Sequence, residues 1–414
     1  MHISDLSLTN FRNYRRFEAQ LPSGPLILVG RNAQGKTSLL EAIHYLASAN
    51  SLHAHSDRQL INWLALREET QPFLRIIAQV LLANEIHTVE VRLELLSDGM
   101  EREPRLKKTV LIDGLKRRVS ALSGVVNVVM FLPQDMVLVE GSPGDRRRFL
   151  DTTISQVDSI YANSVREYTK VLAQRNALLK SIRERTGAGD QIEYWDEALC
   201  VQGATLMARR ARTLEEIDQY ASALHQELTT ESEHLRLAYR PSYAAADQTG
   251  GQLELGLEVG LRRANVPEAE LAAGMRARLR ELRREEIQRG MTLVGPHRDD
   301  FCFALSGVDL GKFGSRGQSR TAVLALKLAE MTWMRDRSGE WPLLLLDEVL
   351  AELDPQRRSD LLQRISGAEQ VILTTADLDM VEAEFSRKAC VWRVTAGTVQ
   401  PETPANSRSL RNLQ

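Results

Sequence analysis

The stretch Gly30-Arg31-Asn32-Ala33-Gln34-Gly35-Lys36-Thr37 constrains this chain more than any other, because it fits G-x-x-x-x-G-K-[ST] in the setting that gives the pattern meaning. The apolar run Leu26-Ile27-Leu28-Val29 enters it as a buried strand, and Thr37-Ser38-Leu39-Leu40-Glu41-Ala42-Ile43 leaves it as a helix. Glycines at 30 and 35 allow the backbone to wrap an anion, with its N–H groups and the positive end of the following helix turned inward. Lys36 is then placed to reach the β- and γ-phosphates of a nucleotide, and the Thr37 hydroxyl to hold Mg²⁺.

A chain of 414 residues exceeds what one hydrophobic core usually serves, about 250–300 residues, so two or three structural units are expected. No run of about 18 apolar residues occurs, and the first residues lack the basic-then-apolar profile of a secretory leader; a cytoplasmic protein is expected. Cys200, Cys302 and Cys390 are far apart and contain no C-x-x-C, which argues against disulfides and zinc and for buried, reduced thiols. The net charge of −2 means that any nucleic-acid surface has to be local.

Along the chain, residues 2–9 alternate around Ile3, Leu6 and Leu8 and read as a strand paired beside the phosphate-loop strand, followed by a polar-aromatic turn. His53 and His55 lie in a polar loop without a third donor nearby and read as solvated. Phe73–Leu82, Thr88–Leu96 and Lys107–Ile112 alternate as strands, with Asp98-Gly99 and Asp113-Gly114 as hairpin turns, so the first half carries an antiparallel layer. The apolar run Val125–Phe131 leads into Pro133-Gln134, where a polar side chain just past a core strand can reach Mg²⁺ or a water. Arg146-Arg147-Arg148 can contact phosphate or form a solvated helix face; both readings stay open. From about 152 to 228 the spacing becomes helical, as in Val165, Tyr168, Leu172 and Leu179, with a break at Gly187–Asp190 that reads as the tip of a helical hairpin. A polar loop from Ala244 and a helix-rich stretch over about 252–290 follow, ending in a mixed-sign run that reads as solvent-facing. Gly295–Asp300 reads as a polar turn before a strand, although His297 beside Asp299 also suits acid–base chemistry.

Pro342-Leu343-Leu344-Leu345-Leu346-Asp347-Glu348 supplies the other half of a nucleotide site: a buried parallel strand delivering two acids at its C-terminal end. Asp347 is expected at the Mg²⁺, and Glu348 as the general base that activates water. The two halves stand at opposite ends of the chain, so something large is inserted between them.

Phe313-Gly314-Ser315-Arg316-Gly317-Gln318, ahead of a helix from Thr321 to about Arg335, looks like the signature of ABC-type ATPases, and Ala351-Glu352-Leu353-Asp354 looks like their D-loop. With Asn10–Tyr14, residues 30–37, Pro133, Gly141-Ser142-Pro143, Arg146–Asp151, Gly295–Asp300, Gly314–Gln318 and Leu346–Asp354, the chain resembles the RecF family of recombinational-repair ATPases, relatives of SMC heads, along essentially its whole length. That resemblance implies an α/β fold: an SMC-head-like ATPase lobe from 1–140 and 291–414 with a helical arm domain inserted at 141–290. It implies an ATP-dependent homodimer in which Ser315, Gly317, Gln318 and Asp354 act on the nucleotide held by residues 30–37 of the other copy, with Thr37, Asp347 and Gln134 at Mg²⁺. It further implies binding to DNA at single-strand–double-strand junctions, action with RecR and RecO to favour RecA loading, and weak, DNA-stimulated ATP hydrolysis. Arg316 stands where transporter signatures have glycine, and no switch histidine follows Val371–Thr374; both suit slow turnover. The competing readings are a transporter ATPase, which would need that histidine and a short insertion, and a nucleotide-holding structural module, against which Glu348 argues.

Overall fold

The computed structural model describes residues 1–51, 54, 56–96, 104–184, 191–229, 233–243 and 264–402. His53, His55, the Asp98-Gly99 turn, the Gly187–Asp190 tip and the polar loop from Ala244 lie outside the described residues. The chain divides into two compact units, Met1–Pro133 with Met334–Gln414, and Gln134–Trp333.

Among the described residues, the first unit contains two six-stranded sheets. One is antiparallel and ordered β2-β1-β4-β5-β6-β7, with β1 His2–Phe11, β2 Tyr14–Gln20, β4 Phe73–Leu82, β5 Glu85–Leu96, β6 Arg105–Ile112 and β7 Leu115–Arg117. Its hairpins turn at Ala83-Asn84 and Asp113-Gly114, all four residues with positive φ (49°, 68°, 52° and 75°). That is the type I′ turn whose twist matches the strands it joins. Alternation buries Leu6, Leu8, Leu74, Ile76, Val91 and Leu93 on one face, in the same core as Leu39, Leu40 and Ile43 of the helix Lys36–Ser48.

The other sheet is ordered β15-β14-β3-β13-β12-β8, with β3 Gly24–Val29, β8 Val128–Phe131, β12 Leu343–Asp347, β13 Gln370–Thr375, β14 Cys390–Thr395 and β15 Thr398–Pro401. All pairings are parallel except that of β14 with β15. Leu26–Val29 and Leu343–Leu346 are buried throughout, as continuous apolar runs in parallel strands require. The expectation that residues 2–9 pair beside the phosphate-loop strand is corrected here. β1 pairs with β2 and β4, while β3 is hydrogen-bonded on both edges by β13 and β14. The period already separated them, since alternation belongs to a one-sided antiparallel layer and an unbroken apolar run to a parallel core.

The second unit is mainly helical, with Pro143–Val157, Ser159–Arg183, Ile192–Thr229 and Glu268–Arg289, beside a small sheet of β9 Leu235–Arg240, β10 Asp300–Leu305 and β11 Val308–Asp309. The mixed-sign helix Glu268–Arg289 is not solvent-facing all round: Leu271, Met275, Leu279 and Glu286 are buried. Glu286 and Asp196 clamp Arg175, itself fully buried, at 2.6 and 2.7 Å, and the Thr292 hydroxyl accepts a third bond at 2.8 Å. Arg283 adds a bond to Asp196 at 2.8 Å. Charge spacing looks the same on either face of a helix, which hid this ion cluster from the sequence. Cys200 and Cys302 are buried free thiols, whereas Cys390, contrary to expectation, is exposed because it sits at the first position of β14. Among the described residues, no helix is long and apolar enough to cross a membrane.

Candidate functional site

Register sets the site. In the parallel sheet Asp347 of β12 lies opposite Thr374 of β13, and Thr375 lies opposite Val29 of β3. The C-terminal ends of three strands therefore bring residues 30–37, Asp347, Glu348 and Thr374 to one edge, where open α/β sheets bind ligands. The helix Lys36–Ser48 starts after Gly35 (φ 113°) with no side-chain cap and no acid in its first turn. Its first amide groups are left for an anion.

Both glycines are needed on steric grounds as well. A Cβ at Gly30 would fall 2.4 Å from the Val394 carbonyl oxygen, and one at Gly35 would fall 2.5 Å from Asn13 Nδ2. Two corners hold the loop in shape. Asn13 Nδ2 donates to the Gln34 carbonyl at 3.1 Å, and the Tyr14 hydroxyl to the Gly35 carbonyl at 3.0 Å. From the β14–β15 turn, the Gly397 amide donates to the same Gln34 carbonyl at 3.0 Å, and the Ala396 amide to Gln34 Oε1 at 2.8 Å. Arg31, Asn32 and Ala33 stay exposed at the rim, Ala33 with φ 63°.

Lys36 is 3% exposed; its Nζ donates to the Gly30 carbonyl at 2.5 Å and the Arg31 carbonyl at 3.1 Å and pairs with Glu348 Oε1 at 2.9 Å. The ammonium is folded back on its own loop and on the expected base. Thr37 Oγ1 donates to the Asp347 carboxylate, 2.9 and 2.8 Å from its two oxygens, and Thr374 Oγ1 donates to Asp347 Oδ1 at 2.8 Å. Thr374 Oγ1 also accepts the Glu348 amide at 3.0 Å. One hydroxyl thus fixes both acids, a role the sequence reading gave to no residue; the polar end of the apolar run Val371–Thr375 was the available signal. Glu348 itself has φ 51°, a left-handed backbone uncommon outside glycine and concentrated at functional sites. An adjacent hydroxyl and carboxylate, with no sulfur or imidazole, is the hard all-oxygen donor set that suits Mg²⁺.

The remaining candidates stand on other elements. Gln134 lies in the short turn Pro133–Met136 after β8. Asp354 caps the helix Pro355–Ile365, accepting the Arg357 amide at 3.0 Å and pairing with the Arg357 guanidinium; that amide, then the guanidinium, holds its carboxyl below the ordinary range. In the second unit Ser315 and Gln318 cap each other at the start of the helix Arg316–Ser338: the Ser315 amide donates to Gln318 Oε1 at 2.9 Å and the Gln318 amide to Ser315 Oγ at 3.2 Å. Gln318 Nε2 also donates to Glu233 at 2.6 Å. Among the described residues the space beside Gly317 is open, with Ser315 Oγ 3.9 Å from where a Cβ would stand. Phe313, directly before the motif, is 76% exposed.

The residues around 295–300 are tied into the second unit by hydrogen bonds. The His297 ring accepts the Tyr168 hydroxyl at Nδ1 (2.6 Å) and its Nε2 lies 3.2 Å from the Thr292 carbonyl, which assigns the neutral ring with its proton on Nε2. Burial pushes its pKa down to about 4. Asp299 is fully buried and accepts the Tyr239 hydroxyl and the Ser242 amide. Arg146 is spent on Asp300, with bonds of 2.7 and 2.9 Å, and Arg147 on the Asp299 carbonyl at 2.7 Å; of the triple arginine only Arg148 is exposed.

Comparison with known proteins identifies the family. The model of the RecF/RecN/SMC N terminal domain family matches residues 2–399. The DNA replication and repair protein RecF of Chloroflexus aurantiacus is 40% identical over 96% of this chain and 99% of its own length. Its counterpart from Herpetosiphon aurantiacus is 39% identical over 97% and 100%. A solved structure of the recombination mediator protein RecF with ATP, in the RecFOR pathway, superposes with a TM-score of 0.80 at 28% identity, covering 97% of this chain and 98% of that one. An SMC head at 15% identity and TM-score 0.51 shares the fold. The chain therefore belongs to the RecF/RecN/SMC family of P-loop ATPases.

Proposed function

Taking that family as premise, we propose that this chain is an ATP-dependent DNA-binding protein of replication and recombinational repair, which dimerises around ATP and hydrolyses it slowly. The observation that carries the reading is the joined site of Lys36, Thr37, Asp347, Glu348 and Thr374, built from both ends of the chain.

Bound ATP and Mg²⁺ would supply the transferable phosphoryl group and the neutralisation of its charge. The chain does the rest. Loop amides of residues 30–37 and the helix start bind the phosphates, and Lys36 exchanges two carbonyls and a carboxylate for an anion that needs it more. Thr37 and Asp347 provide the metal's oxygens, with Gln134 as a further donor. Glu348, released from Lys36, accepts a proton from the attacking water. Ser315, Gly317 and Gln318, with Asp354, are assigned to the nucleotide of a second copy, where the open space beside Gly317 admits close approach. The proposed functional partition is an ATPase lobe of 1–140 with 291–414 and an inserted arm of 141–290; its bounds differ from those of the two compact units, which divide at Pro133 and Met334. Junctions between single- and double-stranded DNA are the proposed target, with RecR and RecO as partners in the cytoplasm.

The reading is tested by fluorescence anisotropy with a gapped duplex, with and without ATP and Mg²⁺. Affinity that rises with ATP in the unsubstituted chain, and no longer does so in Lys36→Met, supports it. Binding indifferent to ATP in both would overturn it.

A further inference from the structure

The edge of the antiparallel sheet carries a concentration of cations that the nucleotide site does not use. Among the described residues β7 is the last strand, paired only to β6, with Ile112 opposite Leu115, Leu111 opposite Lys116 and Val110 opposite Arg117. Lys116, Arg117 and the following Arg118 are consecutive and exposed, and Arg118 continues the extended backbone (φ −74°, ψ 152°). Arg105, at the far end of β6, is exposed too. Among the described residues none of these four side chains has a carboxylate within ion-pair distance, whereas the other cations of the sheet do. Arg75 and Arg92 share Glu90, Lys107 meets Glu94 at 3.0 Å and Lys108 meets Asp57 at 2.7 Å. Nearby Asp113 is engaged by His87 at 2.9 Å and the Thr88 amide at 2.8 Å. In a chain whose net charge is −2, this leaves a local positive surplus on one edge.

We propose that Lys116, Arg117 and Arg118 on this edge strand contact the phosphate backbone of duplex DNA. The inference rests on the DNA-binding reading above and names where that DNA lies. Strand geometry is well matched to a phosphate backbone, because successive side chains project to opposite faces, and Lys116 and Arg118 project to the same one, about 6.6 Å apart. Phosphates of one DNA strand rise by about 3.4 Å per step while winding around the axis, so neighbouring ones are farther apart than the rise and lie within reach of two long cationic side chains spaced this way. The two-residue type I′ turn at Asp113-Gly114 fixes the register, so the cations are presented by a defined strand. The occupant is a polyanion because the unpaired groups are all cationic and carry no acceptor for a base edge; contacts of this kind position DNA without reading its sequence. Basic residues on an edge strand also discourage strand-to-strand aggregation, and the experiment separates the two roles.

The full chain, with ATP and Mg²⁺, is titrated against gapped duplex DNA at several salt concentrations. Lys116→Gln, Arg117→Gln and Arg118→Gln combined should make the slope of log affinity against log salt shallower by about 2 to 3, since each phosphate contact contributes about 0.9. ATP affinity should be unchanged, and Lys116→Arg with Arg117→Lys and Arg118→Lys should keep the slope. An unchanged slope in a triple glutamine variant that binds DNA, with or without new aggregation, overturns the inference alone. Absence of DNA binding by the unsubstituted chain overturns the DNA-binding reading and the inference with it.

Discussion

Two buried lysine- or arginine-centred ion clusters, one in each unit, teach more by their difference than either does alone. Around Lys36 the ammonium is 3% exposed, yet two of its three partners are backbone carbonyls and the third, Glu348, is 30% exposed. Around Arg175 the guanidinium and Glu286 are both fully buried and Asp196 is 5% exposed. The Lys36 partners can all be given up to a ligand, because water reaches the carboxylate and the carbonyls belong to a turn. Of the Arg175 partners Asp196 keeps Arg283, but among the described residues Glu286 has no second cation, only the Leu293 amide at 2.8 Å, so removing the guanidinium strands that carboxylate in a low dielectric. On the proposed reading the first cluster is a place held for an anion; the second is a joint tying the helices Ser159–Arg183, Ile192–Thr229 and Glu268–Arg289 together.

Substitutions should split along that line. The largest effect belongs to the proposed base: Glu348→Gln should lower ATP turnover by about 10²–10⁴-fold while leaving nucleotide bound, measured by phosphate release in single turnover. Next, Arg175→Met should destabilise the chain by about 3–5 kcal/mol, because Asp196 and Glu286 lose their shared cation. Lys36→Met, by contrast, should shift the urea midpoint little and abolish ATP binding. Equal destabilisation by the two would break the comparison.

A smaller effect probes the same joint by pH. His297 is held neutral when folded, with its pKa near 4, but takes a proton below about 6.5 when unfolded. Protons therefore favour the unfolded chain, and stability should fall as pH drops from about 6.5 to 4, by up to about 3 kcal/mol, with no further loss from this group below that. Urea midpoints across that range check it, and His297→Gln should flatten the slope. Smallest is Thr374→Val, which removes the hydroxyl shared by Asp347 and the Glu348 amide. About 1–3 kcal/mol is expected from the bonds lost, read as slower hydrolysis with ATP affinity nearly intact.

The two clusters were unequally legible in the sequence. Residues 30–37 and 343–348 announced themselves, because close approach of backbone to phosphate and delivery of acids from a buried strand each demand particular residue types at fixed spacing. The parallel sheet followed from the same apolar runs. Thr374 was missed because its role depends on register across strands, which one strand's composition does not carry. Asn13 and Tyr14 were noticed as a turn, yet that they brace the Gln34 and Gly35 carbonyls depends on a meeting of distant segments. Arg175, Asp196 and Glu286 lie in three helices whose charge spacing is that of any solvated face, so their burial could be known only once the helices were packed. His297 and Asp299 show the converse: residue types that suit catalysis, spent on a turn.

If ATP closes two copies of this chain around sites that neither completes alone, mass in solution shows it most directly. Light scattering of Glu348→Gln, in which hydrolysis cannot undo closure, is recorded before and after ATP and Mg²⁺, beside the same variant carrying Ser315→Arg. The expected result is a doubling of mass with ATP in the first and a monomer that still binds ATP in the second, since an arginine at 315 blocks the signature without touching residues 30–37. A first variant that stays monomeric with ATP bound, or a second that dimerises as well as the first, would contradict the shared site.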